Sequence, residues 1–260
     1  MNSFVSSIAS SIINYFAGFG QALAFFGNVL SLIVRGRIRV KEVFKQIYEQ
    51  GLQSVLIVAL TGMASGVVLA MQGYVMMVRF GAKEYIAQLV ILSLFREMGP
   101  VFTSLVFSGK AGARMAAELG TMSVNDQITA TRTMGVDPLE YLVVPRMLAC
   151  FIVIPMLTVF AELVGVMGGY LIGVYEANIP GPFYISQTFK GVEFVDFFSG
   201  FLKTIGFSIL VGWICCFQGF YTRGGSVGVG QYTTRAVALS YIAVIISNTF
   251  LTKIILTFWG

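Results

Sequence analysis

Two adjacent charges at the centre of a long apolar run constrain this chain more than any other feature. Residues 86–107 are apolar almost throughout, yet Arg96 and Glu97 lie in the middle of the run. As a helix, the run spans roughly 33 Å, about the thickness of a hydrocarbon core. A charge at that depth costs about 2.5–3.5 kcal/mol on insertion scales, so it faces protein, water or a polar ligand. The pair is the first candidate for a functional site.

The composition is that of an integral membrane protein. Of the 260 residues, 57% are hydrophobic and 11% charged, whereas soluble domains carry about 25% charged residues. Basic residues occupy short segments between apolar runs, which favours membrane topology over nucleic-acid binding. The sequence contains no histidine, which excludes His-based zinc sites and serine triads. Three cysteines inside apolar runs form no disulfide framework, and we expect neither a metal site nor a cofactor.

Five apolar runs predict five transmembrane helices in an all-α protein. They cover residues 52–78, 86–107, 147–175, 197–221 and 236–258. With the N-terminus inside, the inner segments hold Arg35, Arg37, Arg39, Lys41, Lys45, Lys110, Arg114, Arg132, Arg146, Arg223 and Arg235, and the outer loops hold Arg79, Lys83 and Lys190. This asymmetry predicts an inner N-terminus and an outer C-terminus.

Residues 1–50 are predicted to form an N-terminal element that precedes the transmembrane domain of residues 51–260. Apolar side chains recur at helical spacing from Ile8 to Phe26, while serines interrupt the other face. This pattern favours a helix lying in the membrane interface, and a true span over 15–34 is the alternative. The basic cluster that follows is expected to anchor the chain near cytoplasmic headgroups.

Small residues in the first and third spans predict close helix packing. They are Ala59, Gly62, Gly66, Ala70 and Gly73 in the first span, and Gly165, Gly169 and Gly173 in the third. Packing within one chain explains the first series better than a special dimer seam. In the second span, Gly99-Pro100 predicts a kink directly after Arg96 and Glu97. These two side chains point about 100° apart on a helix, so each needs its own partner.

The most polar internal segment, residues 109–146, joins the second and third spans on the inner side. Within it, Ser123 begins Ser-Val-Asn-Asp, a capping signature that predicts a short amphipathic helix ending at Gly135. Such a helix is suited to docking a cytoplasmic protein, and a solvated loop helix is the alternative.

Three further expectations concern the second half of the chain. Residues 176–196 and the Gly-rich residues 222–235 are predicted loops, and the latter lacks the Gly-Lys-Ser/Thr ending of a P-loop. Lys203, near the start of the fourth span, is expected to extend its ammonium towards the membrane surface.

Taken from the residues alone, these features indicate a membrane translocator whose energy is supplied by another subunit. No nucleophile with a base, metal cluster or phosphate-binding loop is recognisable in the sequence. The alternatives are an ion-coupled transporter of a small solute with Glu97 and Glu162 as carriers, an intramembrane enzyme, and a structural subunit.

Four ordered motifs resemble the signatures of the MlaE/YrbE permeases. They are Phe-Arg-Glu-Met-Gly-Pro-Val (95–101), Gly-Lys-Ala-Gly-Ala-Arg-Met-Ala-Ala-Glu-Leu-Gly-Thr-Met (109–122), Met-Gly-Val-Asp-Pro-Leu-Glu-Tyr-Leu-Val-Val-Pro-Arg (134–146) and Gly-Val-Gly-Gln-Tyr-Thr-Thr-Arg-Ala-Val (228–237). The resemblance implies a homodimeric ABC-transporter permease in the bacterial inner membrane that moves phospholipids between inner and outer membranes. It also implies two cytoplasmic ATPase subunits and an MCE-domain protein on the outer side.

The same resemblance implies roles for individual residues. A lipid cavity at the dimer interface would be lined by Arg96, Glu97, Leu69, Met76, Met77, Phe80 and Met98. A coupling helix over about residues 118–135 would contact the ATPase through Glu118, Asp126, Ile128 and Arg132. The chain itself would not be an enzyme, because its partner would hydrolyse ATP.

Overall fold

The computed structural model describes the backbone of residues 2–259 and the side chains of residues 17–258. Over this range the chain is helical and contains no strand. The α-helices are α1 (Asn2–Val34), α2 (Val40–Ile47), α3 (Gln53–Arg79), α4 (Ile86–Ser93), α5 (Gly99–Phe107), α6 (Ala113–Val124), α7 (Gln127–Thr133), α8 (Val144–Tyr175), α9 (Gly181–Lys190), α10 (Phe194–Phe220) and α11 (Gly225–Trp259).

Six helical stretches in the described part of the chain are long and apolar enough to cross a membrane. They are Ala17–Val34, Val40–Arg79, Lys83–Val124, Leu139–Tyr175, Phe194–Phe220 and Gly225–Phe258. Five of them contain the predicted spans, which confirms an all-α membrane protein. The sixth overlaps the alternative span at the N-terminus, so an interfacial position for α1 stays a prediction. On α1, Ile8, Ile12, Tyr15 and Phe16 belong to the predicted apolar face, but their side chains lie outside the described residues.

The described part of α1 packs against the C-terminal half of α10. Phe25 is buried among the rings of Phe217, Phe220 and Tyr221, with ring centroids 5.5–5.9 Å away. Trp213 donates from Nε1 to the carbonyl of Ala22 at 3.1 Å. The N-terminal element therefore joins the same bundle as the other helices.

The small residues of α3 bring its backbone into contact with α8. A Cβ added at Gly62 would lie 2.5 Å from the Ala161 carbonyl oxygen, and one at Gly66 would overlap the Gly165 carbonyl. Only glycine permits this approach, because any side chain would occupy the space taken by the facing backbone. The glycine series thus serves packing within the chain, as predicted.

Four π-helical segments interrupt the α-helices of the described chain, and each contains a charged residue. They are Tyr48–Leu52, Leu94–Met98, Ser108–Gly112 and Leu139–Val143. Because of them the second span is longer than predicted and stays helical from Lys83 to Val124. The irregularity expected at Gly99-Pro100 is the π segment immediately before it. A π turn widens the helix and is frequent at functional sites.

The helix cap predicted at Ser123 is wrong. α6 continues through Ser123 to Val124, and Ser123 Oγ lies 3.2 Å from the carbonyl oxygens of Phe220 and Thr222. The chain turns at Asn125 and at Asp126, which has a left-handed backbone with φ 56°. The predicted coupling helix is therefore two helices: the end of α6 and the short α7. Gly135 terminates α7 with φ 78°, as expected.

Two predicted loops contain helices. In residues 176–196, α9 begins at Gly181 with a proline in its first turn, a position where proline costs no hydrogen bond. In residues 222–235, α11 begins at Gly225, and only Gly224 and Gly225 have the positive φ of a loop. Packing of α11 against α6 and α10 outweighs the weak helix propensity of its other glycines.

Candidate functional site

The π segment Leu94–Met98 positions the charged pair in the bundle. It is followed by Pro100, which has no N–H, so the Arg96 carbonyl lacks its usual α-helical donor. Lys203 supplies a substitute, since its Nζ donates to that carbonyl oxygen at 2.8 Å. Because Pro100 cannot donate to it, the Arg96 carbonyl oxygen is available to accept a hydrogen bond from the buried Lys203 ammonium.

Glu97 is held by groups from two other helices. Its Oε1 accepts from Lys203 Nζ at 2.7 Å and from Thr252 Oγ1 at 3.0 Å. Its Oε2 accepts from Asn248 Nδ2 at 2.8 Å. Lys203 also donates to Thr252 Oγ1 at 2.8 Å, which closes a network between α10, α11 and the π segment. All three Lys203 donors are thus used, as a buried ammonium requires.

Arg96 has a different partner. Its guanidinium pairs with Asp196 Oδ1, while Asp196 Oδ2 accepts from the backbone N–H of Glu193 at 3.0 Å in the capping box of α10. The Asp196 side chain is 4% exposed, but that of Arg96 is 52% exposed. The carboxylate is consequently fixed, and the guanidinium keeps free surface for a further anion.

Two cavities adjoin this cluster. A narrow one of about 50 Å³ contains Arg96, Glu97, Asp196 and Lys203 in its wall. A wider one of about 480 Å³ is formed by Glu97 with one face of α11, namely Asn248, Thr249, Thr252, Lys253, Leu256 and Thr257. Asn248 Oδ1 is buried there without a hydrogen-bond partner. The site is polar at its base and opens along the exposed face of α11.

The structure separates the other predicted lipid-binding residues from the charged pair. Leu69, Met77 and Met98 pack together on the core cluster around Leu94. Met76, near the C-terminal end of α3, is 59% exposed, and Phe80, directly after α3, is 80% exposed. Within one chain these five residues line neither cavity at Arg96 and Glu97.

Sequence reasoning missed four members of the network: Asp196, Lys203, Asn248 and Thr252. The expected snorkelling of Lys203 is wrong, because the side chain is 2% exposed and fully paired. A signal existed in the spacing of Asn248 and Thr252, which places two polar groups on one face of an otherwise apolar helix. No local sequence pattern indicated that this face contacts Glu97, because the partners of Glu97 lie 106 to 155 positions away from it in the chain.

The predicted ATPase-contacting residues divide into two groups. Glu118 is occupied within the chain: it accepts from Arg114 Nε at 2.7 Å and from the buried Arg146 at 3.2 Å. Ile128 is 8% exposed and holds α7 against the bundle. Asp126 and Arg132 are exposed on the turn and on α7, and their side chains form no ion pair with another described residue.

A further cavity, of about 540 Å³, lies elsewhere, between α8, α9 and Met63 of α3. Its wall is apolar, and it includes Tyr184, whose hydroxyl is buried without a partner. Burial raises the pKa of Tyr184 to about 12. Among the described residues, no three His, Cys, Asp or Glu side chains are grouped to hold a metal ion.

Comparison with known proteins supplies the family. A sequence model of the family Permease MlaE matches residues 43–254. The chain belongs to the MlaE permease family. This permease is 38% identical over 253 residues to a probable ABC transporter permease protein of Rickettsia typhi. The aligned region covers 96% of this chain and 98% of the relative.

Two further relatives have more specific names. The intermembrane phospholipid transport system permease protein MlaE of Haemophilus influenzae is 35% identical over 256 residues, 96% of this chain and 97% of that protein. The Arabidopsis thaliana protein TRIGALACTOSYLDIACYLGLYCEROL 1, chloroplastic, is 31% identical over 227 residues, 87% of this chain and 65% of that protein. With six candidate spans and this family, the protein is an ABC-type permease and a multi-pass protein of the bacterial inner membrane.

Proposed function

We propose that this permease moves phospholipids between the inner and outer membranes and that a separate ATPase provides the energy. The observation that carries the proposal is the half-exposed Arg96 guanidinium, which Asp196 holds at the narrow cavity, next to the wider cavity at Glu97. A lipid phosphate requires a cation at such a depth, and a guanidinium binds phosphate with directed hydrogen bonds. The Haemophilus relative is named for phospholipid transport, which supports the same substrate.

The lipid would occupy a cavity between two copies of the chain. α11 supports this arrangement, because only 11% of its candidate span is buried and its exposed face includes Ile242, Ile245 and Phe250. A second copy would close the 480 Å³ opening at Glu97. In that dimer, Leu69, Met76, Met77, Phe80 and Met98 would contribute apolar walls for the acyl chains, with Met adapting to chains of different shape.

Two cytoplasmic ATPase subunits would dock at the turn between α6 and α7. Asp126 and Arg132 are exposed there, and Met134 is 72% exposed beside them. The intrachain ion pairs of Glu118 would transmit movement of this turn to α8 through Arg146. ATP would be hydrolysed in the partner, so the permease needs no cofactor of its own. On the outer side, an MCE-domain protein would pass lipid to or from the cavity.

An ion-coupled transporter of a small solute is the alternative, and one residue favours it. Glu162 is 4% exposed and lies against Gly99, and no cation of the described chain lies within ion-pair distance of its carboxylate. A membrane carboxylate in this position could carry a proton or cation. This alternative requires dependence on an ion gradient and no ATPase.

Affinity purification in mild detergent, with mass spectrometry of bound proteins and lipids, separates the two functions. Co-purification of an ATPase, an MCE-domain protein and phospholipid supports lipid transport. A chain that is stable alone, without ATPase or lipid, contradicts it.

Transfer of labelled phospholipid by the reconstituted complex then tests the site. We expect Arg96→Ala and Glu97→Ala to reduce transfer at least about tenfold, the effect of losing one charge-assisted hydrogen bond, while assembly persists. Arg79→Ala, which removes a charge from the exposed outer end of α3, is the matched control. Unchanged transfer in both site variants would exclude this assignment.

A further inference from the structure

A helix that begins before the first span has two parallel stripes on its exposed side. The chain is helical without interruption from Val40 to Arg79. One stripe is apolar, with members between 58% and 70% exposed: Val40, Phe44, Tyr48, Leu52 and Leu56. Its spacing of four residues keeps these side chains on one side of the helix. The stripe leads without a break from α2 onto the lipid-facing surface of α3.

The second stripe is basic and lies beside the first. Lys41 and Lys45 are exposed and each follows an apolar stripe residue by one position, about 100° around the helix. Neither ammonium group makes a hydrogen bond or ion pair with any described residue. The opposite side of α2, with Val43 and Gln46, is buried against the bundle, so the orientation of both stripes is set by packing.

Helix length places the lysines at the depth of lipid headgroups. Forty residues extend about 60 Å, twice the hydrocarbon thickness of about 30 Å. The run without charge begins at Gln50, five residues after Lys45, or about 7.5 Å along the axis. The headgroup layer on each side is about 5–7 Å thick, so an extended lysine side chain reaches it.

We propose that this surface, Lys41 and Lys45 with Phe44, Tyr48, Leu52 and Leu56, binds an anionic phospholipid of the cytoplasmic leaflet. The phosphate and the anionic headgroup contact the two ammonium groups, and an acyl chain lies along the apolar stripe. Charge complementarity selects an anionic lipid over a zwitterionic one. An acidic protein surface would satisfy the lysines but would leave the apolar stripe without a partner. The site lies on a different part of the molecule from Arg96, so it does not depend on the proposed transport.

Native mass spectrometry of the full-length, delipidated protein tests the site. The protein is titrated with dioleoylphosphatidylglycerol or dioleoylphosphatidylcholine, which have identical chains and differ in headgroup charge. The variants are Lys41→Gln/Lys45→Gln and, as a control with the same loss of charge on exposed outer lysines, Lys83→Gln/Lys190→Gln.

We expect the wild-type protein and the control to bind phosphatidylglycerol in preference to phosphatidylcholine. Each lysine removed from α2 should weaken phosphatidylglycerol binding about fivefold at low salt, with little change for phosphatidylcholine. High salt should reduce the preference in the same way. Equal binding of both lipids by the wild type, or an unchanged preference in Lys41→Gln/Lys45→Gln, would overturn the proposal. Loss of a co-purifying protein from that variant with its lipid preference intact would also overturn it and assign the surface to a protein.

Discussion

Lys203 and Glu97 meet at 2.7 Å, Nζ to Oε1, although they are 106 positions apart in the chain. The lysine side chain is 2% exposed and that of the glutamate 36% exposed. The pair therefore connects the closed interior of the bundle with the cavity beside α11. Lys203 also donates to the Arg96 carbonyl oxygen, so the pair helps to fix the backbone at Arg96 and is part of the candidate site.

Lys203→Met should destabilise the permease by about 3–5 kcal/mol, because Glu97 and the Arg96 carbonyl lose the cation that both require. Thermal unfolding in detergent measures the effect. The double variant Lys203→Met/Glu97→Gln should recover much of that stability, since it leaves no unpaired charge, while lipid transfer stays low. A double variant that shows the sum of both single losses would contradict this account of the pair.

Gly66→Ala should destabilise the contact between α3 and α8 by about 1–3 kcal/mol, as overpacking does in other cores. The added Cβ would overlap the Gly165 carbonyl, which is backbone and has no rotamer to yield. Gly27→Ala is the matched control, because nothing lies within 4 Å of its added Cβ. Thermal unfolding of both variants is the measurement, and equal midpoints would argue against close packing at Gly66.

Charge reversal should have different effects at the end of α6 and at the turn and α7 that follow it, the two parts of the predicted coupling helix. Asp126→Lys and Arg132→Glu should weaken co-purification of the ATPase. Arg132→Glu should leave the unfolding temperature unchanged, because the side chain is exposed. Asp126→Lys should lower it slightly, because Asp126 has a left-handed backbone that Asp tolerates better than Lys. Glu118→Lys should lower the unfolding temperature as well, because it repels Arg114 and leaves the buried Arg146 unpaired. Glu84→Lys, an exposed change on the outer side, is the control. Normal ATPase recovery in both surface variants would place the docking site elsewhere.

Tyr184→Phe should raise stability by about 1 kcal/mol or more, since it removes a buried hydroxyl that has no hydrogen-bond partner. It should also remove a sensitivity to alkali. Burial raises the pKa of Tyr184 from 10 to about 12, so the folded state disfavours the phenolate. The stability that the folded state gains by keeping this phenol protonated is complete below pH 10 and is lost as the pH rises to 12. Unfolding midpoints at pH 8 and pH 11 test both effects, and a less stable phenylalanine variant would show that the hydroxyl has a partner.

Hydrophobic periodicity predicted the helices because each span is long, and a helix satisfies its own backbone in lipid without reference to the rest of the chain. The separate partners of Arg96 and Glu97 were also predictable, because the angle between adjacent helical residues excludes a common one. Errors occurred where a tertiary contact outweighed a local signal. Ser123 has a cap-like sequence, but its hydroxyl lies beside the carbonyls at the end of α10.

The sequence by itself determined the membrane class and the all-helical fold, since these depend on composition and on the length of the apolar runs; the sidedness and the depth of the charged pair stay predictions. Only the tertiary structure decided which groups surround that pair. Asp196, Lys203, Asn248 and Thr252 come from helices distant in the chain, and the packing of α10 and α11 brings them to Arg96 and Glu97. Side-chain pairing across helices depends on how the helices are rotated against one another, and local sequence patterns do not encode that rotation.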